Sequence, residues 1–155
     1  MTATRIHLTE AVARGIAARA QAAMPNETGG ALIGWREGEF VNVMDSIEIP
    51  SVRPDHARYQ LSVADLNEAL ERYISSARDA RMGYVGSWHS HPAMVGPSPR
   101  DRYTFWRTGR AHTGAMAFVV AATDGRTTVL HTTWAGRRDG HYRLQRQEPT
   151  TRTGG

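Results

Sequence analysis

The chain has 155 residues, 40% of them apolar and 22% charged, with seven histidines, no cysteine and a formal net charge of +4. That is enough for one domain with a real core and too little for two comfortable ones, and the mix is that of an ordinary globular protein. No window approaches eighteen consecutive apolar residues and the N-terminus lacks the apolar run of a secretory signal, so a cytoplasmic, membrane-free protein is expected; without cysteine there are no disulfides or thiolate ligands.

The first stretch, LTEAVARGIAARAQAAM, reads as a helix capped by Thr9, with Val12, Ile16 and Ala20 on one side and Pro25 closing it. GGALIGW follows as a short apolar strand, and EFVNVMDSIEIP alternates as the next. Residues 51–61 read as extended, with Tyr59 and Leu61 on one face. SVADLNEALERYISSARDAR is the clearest helix. Ser62 caps it, and Leu66, Leu70, Tyr73, Ile74 and Ala77 form its apolar stripe. MGYVGSWH is a buried strand ending at His89. After the loop SHPAMVGP, a third helix starts with Ser98 at the cap and Pro99 at its first position. GAMAFVVAAT is a strongly apolar strand, RTTVLHTTWAG and GHYRLQRQ read as edge strands, and EPTTRTGG is polar. This order predicts an α/β domain over residues 1–147, a mixed central sheet covered by helices, with a flexible tail at 148–155.

All nineteen basic residues are arginine, spread from Arg5 to Arg152. The densest groups, SPRDRYTFWRTGR and AGRRDGHYRLQR, contain no run of five or six and no aromatic interleaving of the kind that stacks bases. A solvated face explains them, which argues against nucleic acid. The lack of lysine fits coding in a GC-rich genome. It also suits a protein that handles lysine-linked conjugates without becoming a substrate.

The stretch GSWHSHPAMVGPSPRD carries the chemistry. His89 and His91 are separated by one residue, so on a strand they point to the same face. Two neutral imidazoles there can share a metal, and Asp101, just past a Gly/Pro loop, can supply a third ligand. Three protein ligands leave a fourth position open, the arrangement of catalytic rather than structural zinc. Ser98-x-x-Asp101 is also nearly a capping box, and a cap can position a ligand. An H-x-H-x-D-H pattern is excluded by Ala93 and Met94, and no H-E-x-x-H occurs. The remaining histidines, His7, His56, His112, His131 and His141, read as surface or satisfied core residues. Glu27, in PNETGGALIG at the mouth of an apolar strand, reads alone as a turn residue and beside a metal as a candidate base.

Taken together, E-T-G-G-A-L-I-G, then about sixty residues with a long helix, then W-H-S-H-P and P-S-P-R-D resemble the JAMM/MPN (JAB domain) metalloprotease family over about residues 5–135. The short G-x-W-H-S-H-P form resembles its bacterial, stand-alone members. The resemblance implies a cytidine-deaminase-like layered fold and one Zn2+ per chain held by His89, His91 and Asp101. It implies that Glu27 holds and deprotonates the zinc-bound water, and that Ser98 donates a hydrogen bond to the oxyanion. It also implies hydrolysis of the amide bond after the C-terminal diglycine of a ubiquitin-like protein or its conjugates. The alternative within the family is a non-catalytic scaffold that binds a ubiquitin-like partner. One feature departs from the family pattern: nine residues separate His91 from Asp101 instead of ten, the deletion falling in the loop before Ser98. The ending TRTGG has the form of a conjugatable diglycine tail, one able to occupy the enzyme's own cleft.

Overall fold

Eight strands and three helices follow one another in the computed structural model of the chain, which describes residues 4–53 and 58–147 and the backbone of 152–154. Part of the extended stretch at 51–61, His56 with it, lies outside the described residues, as do 148–151 and 155 of the tail. The strands are β1 (Ile6–Leu8), β2 (Gly29–Glu37), β3 (Phe40–Glu48), β4 (Gly83–His91), β5 (Met116–Thr123), β6 (Thr127–Arg138), β7 (His141–Gln147) and β8 (Arg152–Gly154). The helices are α1 (Glu10–Ala23), α2 (Val63–Ser76) and α3 (Pro99–Arg110).

The strands make one mixed sheet in the order β1-β3-β2-β4-β5-β6-β7, with β8 pairing β6 beyond the end of β7. β1 runs parallel to β3 and β4 parallel to β5; the other neighbours are antiparallel. β4 thus lies in the interior of the sheet, and its last residues carry the two histidines. All eight residues of β5 are buried, the continuous apolar run of a strand covered on both faces.

Helix α1 covers one face of the sheet. Its Val12, Ala13, Ile16 and Ala20, spaced to form one stripe, pack with Leu32, Val41, Trp88, Val119 and Leu130. Each Val, Leu or Ile among them taken from water contributes roughly 1.5–3 kcal/mol. The opposite face is split. Phe105 of α3 stacks on Phe118 with ring centres 4.5 Å apart, and Leu66, Leu70 and Tyr73 of α2 pack near Ala31 and Ile33. Thr9 and Ser62 cap α1 and α2 as their sequences suggest, accepting from the backbone N–H groups of Val12 and Asp65.

Several details differ from the sequence reading. RTTVLHTTWAG is not an edge strand: β6 is paired on both sides, and Leu130 and Trp134 are fully buried, the indole donating to the Glu39 carbonyl at 2.9 Å. Ile74 leaves the core stripe of α2 and is 49% exposed, its place inside taken by Ala69, because the helix meets the sheet along Leu66–Leu70–Tyr73 only. α2 also stops at Ala77, short of the stretch that reads as helical. Within the presumptive tail, Arg152–Gly154 pair with Val129–Thr127. The row His91–Ala122–Val129–Arg152 puts that segment three strand spacings, about 14 Å, from the second histidine, and not in the cleft.

Candidate metal centre

The centre is assembled at the end of β4. The strand runs two residues further than its apolar pattern indicates, because Ser90 and His91 still pair with Ala121 and Ala122 of β5. His89 and His91 therefore alternate with Trp88 and Ser90 and share the face beneath α3, where His89 lies 6.3 Å from the Phe105 ring. β4 can lie this close to β5 only because of Gly86. A Cβ there would meet the Ala117 carbonyl oxygen at 1.7 Å.

Asp101 arrives from the other side, on the first turn of α3. The capping box is complete: Ser98 Oγ accepts from the Asp101 N–H at 3.0 Å, and Asp101 Oδ2 accepts from the Ser98 N–H at 2.9 Å. The cap fixes the carboxylate's direction. The one-residue-shorter loop still delivers it, folding back so that the Val95 carbonyl lies 3.2 Å from His91 Nδ1. A ring nitrogen facing a carbonyl must carry the proton, so the Nε2 of His91 presents its lone pair to the centre. Beneath this loop Gly96 lies against His131 and Arg146, whose Nη2 is 3.2 Å from His131 Nδ1. Burial, reinforced by Arg146, pushes the His131 imidazole pKa down, so it remains a neutral acceptor that supports the loop.

Three donor atoms converge. His89 Nε2 and His91 Nε2 are 3.3 Å apart, His89 Nε2 is 3.3 Å from Asp101 Oδ1, and His91 Nε2 is 3.2 Å from Asp101 Oδ2. Ligands at ~2.0–2.1 Å from a tetrahedral ion stand ~3.3–3.4 Å apart, so this near-equilateral triangle fits one face of such a tetrahedron. Among the described residues it is the only group of three or more potential ligands gathered this tightly. The electrostatics agree. Burial alone would raise the Asp101 carboxyl, but the two histidines and the Ser98 N–H hold it far below the usual carboxylate range. When the His91 ring is protonated its Nε2–H donates to Asp101, which raises its pKa against the pull of its burial. The carboxylate is thus ionised and ready to bind a cation.

Glu27 stands beside this triad without joining it. Its Oε1 accepts from the Tyr59 N–H at 2.9 Å, and it lines the same cleft as His89 and Asp101. Gly29 makes room for that clasp, since a Cβ there would meet the Tyr59 ring at 2.6 Å. Sequence reasoning missed two contributors. The Tyr59 N–H is a backbone donor and leaves no side-chain signature. Ser90 looks like a spacer, yet its Oγ, almost fully buried, accepts from the Thr28 N–H at 2.9 Å, and its own N–H donates to the Thr28 carbonyl at 2.8 Å. That pair of hydrogen bonds ties the segment carrying Glu27 to the strand carrying the histidines. The available clue was alternation: a residue between two histidines that share one strand face points to the opposite face. Replacing Ser90 by alanine orphans the Thr28 donor, and we expect a loss of about 1–3 kcal/mol, read as a lower melting temperature. An unchanged melting temperature would show that the clamp does not matter.

Residues 9–135 match the family described as prokaryotic homologs of the JAB domain. The chain belongs to this family. Two solved structures show the same fold as this JAB domain. One is protein DSY2949 from Desulfitobacterium hafniense, with 22% identity, 92% of this chain and 90% of that one covered, and a TM-score of 0.62. The other is a protein from Salinibacter ruber, with 20% identity, 92% and 88% covered, and a TM-score of 0.58. No curated protein matches this sequence. The layered α/β architecture and the mixed sheet expected from the sequence are those observed. No described helix is long and apolar enough to cross a membrane.

Proposed function

We infer that this JAB domain is a zinc-dependent peptidase or isopeptidase acting in the cytoplasm on the amide bond after the terminal diglycine of a ubiquitin-like protein or its conjugates. One observation carries the reading: a two-histidine, one-carboxylate triangle of tetrahedral dimensions with a clasped glutamate beside it. The donor set of nitrogen and oxygen, with no sulfur, suits zinc and leaves a position open to substrate. When bound, such an ion would supply Lewis acidity, lowering the pKa of an attacking water towards neutrality.

The chain's own residues do the rest. Tyr59 N–H holds one oxygen of Glu27. The other oxygen is available to take the proton of the attacking water and return it to the leaving amine. The Ser98 Oγ accepts from the backbone, which leaves its O–H proton available to stabilise the oxyanion. Cap and oxyanion donor are therefore compatible roles of one hydroxyl. Diglycine suits the reaction because, without Cβ atoms, it can lie extended against the strand ends.

The test joins elemental analysis to a cleavage assay. Purified protein is expected to hold about one zinc per chain and to cleave a diglycine–amide substrate. Chelation should abolish that cleavage, and zinc should restore it. Cleavage that survives complete removal of metal overturns the reading.

A further inference from the structure

A cleft of about 700 Å³ runs from Glu27 and Asp101 between α2 and α3. Leu66 and Leu70 form its apolar wall on one side, and the exposed face of α3 forms the other. α2 has no fully buried residue, so its wall of the cleft stays half open. The charge of the cleft is one-sided. Arg58, Arg100 and Arg107 line it, while its two lining carboxylates, Glu27 and Asp101, both belong to the candidate chemistry. Among the described residues, none of these arginines has a carboxylate within 4.0 Å. Arg107 instead lies over the Tyr103 ring, its centre 6.0 Å away, on a surface rich in the residue types that anchor protein partners.

We propose that this cleft selects an acidic chain segment: the peptide it accepts carries Asp or Glu a few residues ahead of its terminal diglycine, paired with Arg100 and Arg107. Mention of the diglycine rests on the function inferred above; the charge preference does not. The spacing follows from the fold. Arg107 is six residues beyond Asp101 on α3, about 9 Å along the helix axis. An extended peptide covers about 3.3 Å per residue, so Arg107 faces a position about three residues from the triad. The unpaired guanidiniums of Arg100, beside the triad, and Arg107, near that position, attract carboxylates bidentately and repel lysine or arginine. A tail with basic residues there is therefore the wrong substrate for this cleft.

The test is a binding measurement that needs no turnover. Fluorescent ten-residue peptides ending in free Gly-Gly are titrated with the full chain, and anisotropy is read. Their upstream residues are Asp/Glu, Asn/Gln or Lys/Arg. The acidic peptide should bind at least about tenfold more tightly than the amide version, and the basic one more weakly still. In an Arg100→Gln/Arg107→Gln variant the acidic preference should fall below about threefold. In an Arg126→Gln/Arg143→Gln variant, which removes the same charge from exposed sites outside the cleft, it should persist. Equal binding of acidic and amide peptides overturns the proposal. So does a preference that survives in the cleft variant, or one that collapses equally in the control. If the acidic preference is found and no diglycine substrate is cleaved, the inferred function fails and the acidic cleft stands.

Discussion

A Glu27→Gln protein is expected to fold normally, to carry the same amount of zinc as the parent, and to turn over about 100–10,000-fold more slowly. Each part has its own structural reason. Glutamine retains the oxygen that accepts from the Tyr59 N–H, so the loop stays clasped. Glu27 is outside the donor triangle of His89, His91 and Asp101, so ion content does not depend on it. What the amide lacks is the ability to take a proton. Kinetics and elemental analysis on the same preparation separate these effects. Activity within about tenfold of the parent would remove Glu27 from the role of base, and a loss of zinc would move it into the coordination shell.

Asp101 makes two sets of contacts, and two substitutions should separate them. Its Oδ2 accepts from the Ser98 N–H in the capping box, and both its oxygens face the histidines. In Asp101→Ala both are lost. Ion content should fall from about one per chain to near zero, because two imidazoles alone make a poor site. The lost half of the capping box, the bond from the Ser98 N–H, should cost about 1 kcal/mol, lowering the melting temperature of a chain of this size by about 2–4 °C even in chelator. In Asp101→Asn the side-chain oxygen can still accept from Ser98, so the melting temperature in chelator should recover while the ion does not. An alanine variant that keeps one equivalent of zinc would show that the triangle is not the metal site.

Much of the centre was legible in the sequence because its donors are local. H-x-H on a strand and S-x-x-D at a helix start each have a fixed geometry, so spacing alone points them at one place. The extension of β4 through His91 was not legible, since it depends on pairing with Ala121 and Ala122 of β5, about thirty residues away. β1 was missed because Ile6–Leu8 is too short to show alternation, and it exists only by pairing with β3. β6 looked like an edge because it is rich in threonine and arginine. Yet Thr128, Thr132 and Thr133 are all buried, in a strand paired on both sides. The Tyr59 clasp on Glu27 depends on a loop returning from beyond β3, which no local pattern records.

The three donors span only thirteen consecutive residues, whereas Glu27 reaches them from sixty-two positions upstream of the first histidine, through the Thr28–Ser90 bonds. Closing the short segment is entropically easy, but keeping the distant glutamate in register requires the whole sheet. On the function inferred above, mild damage far from the centre should therefore cost turnover before it costs ion binding. Inert descendants that still carry their ion are the expected first product of drift in such a chain.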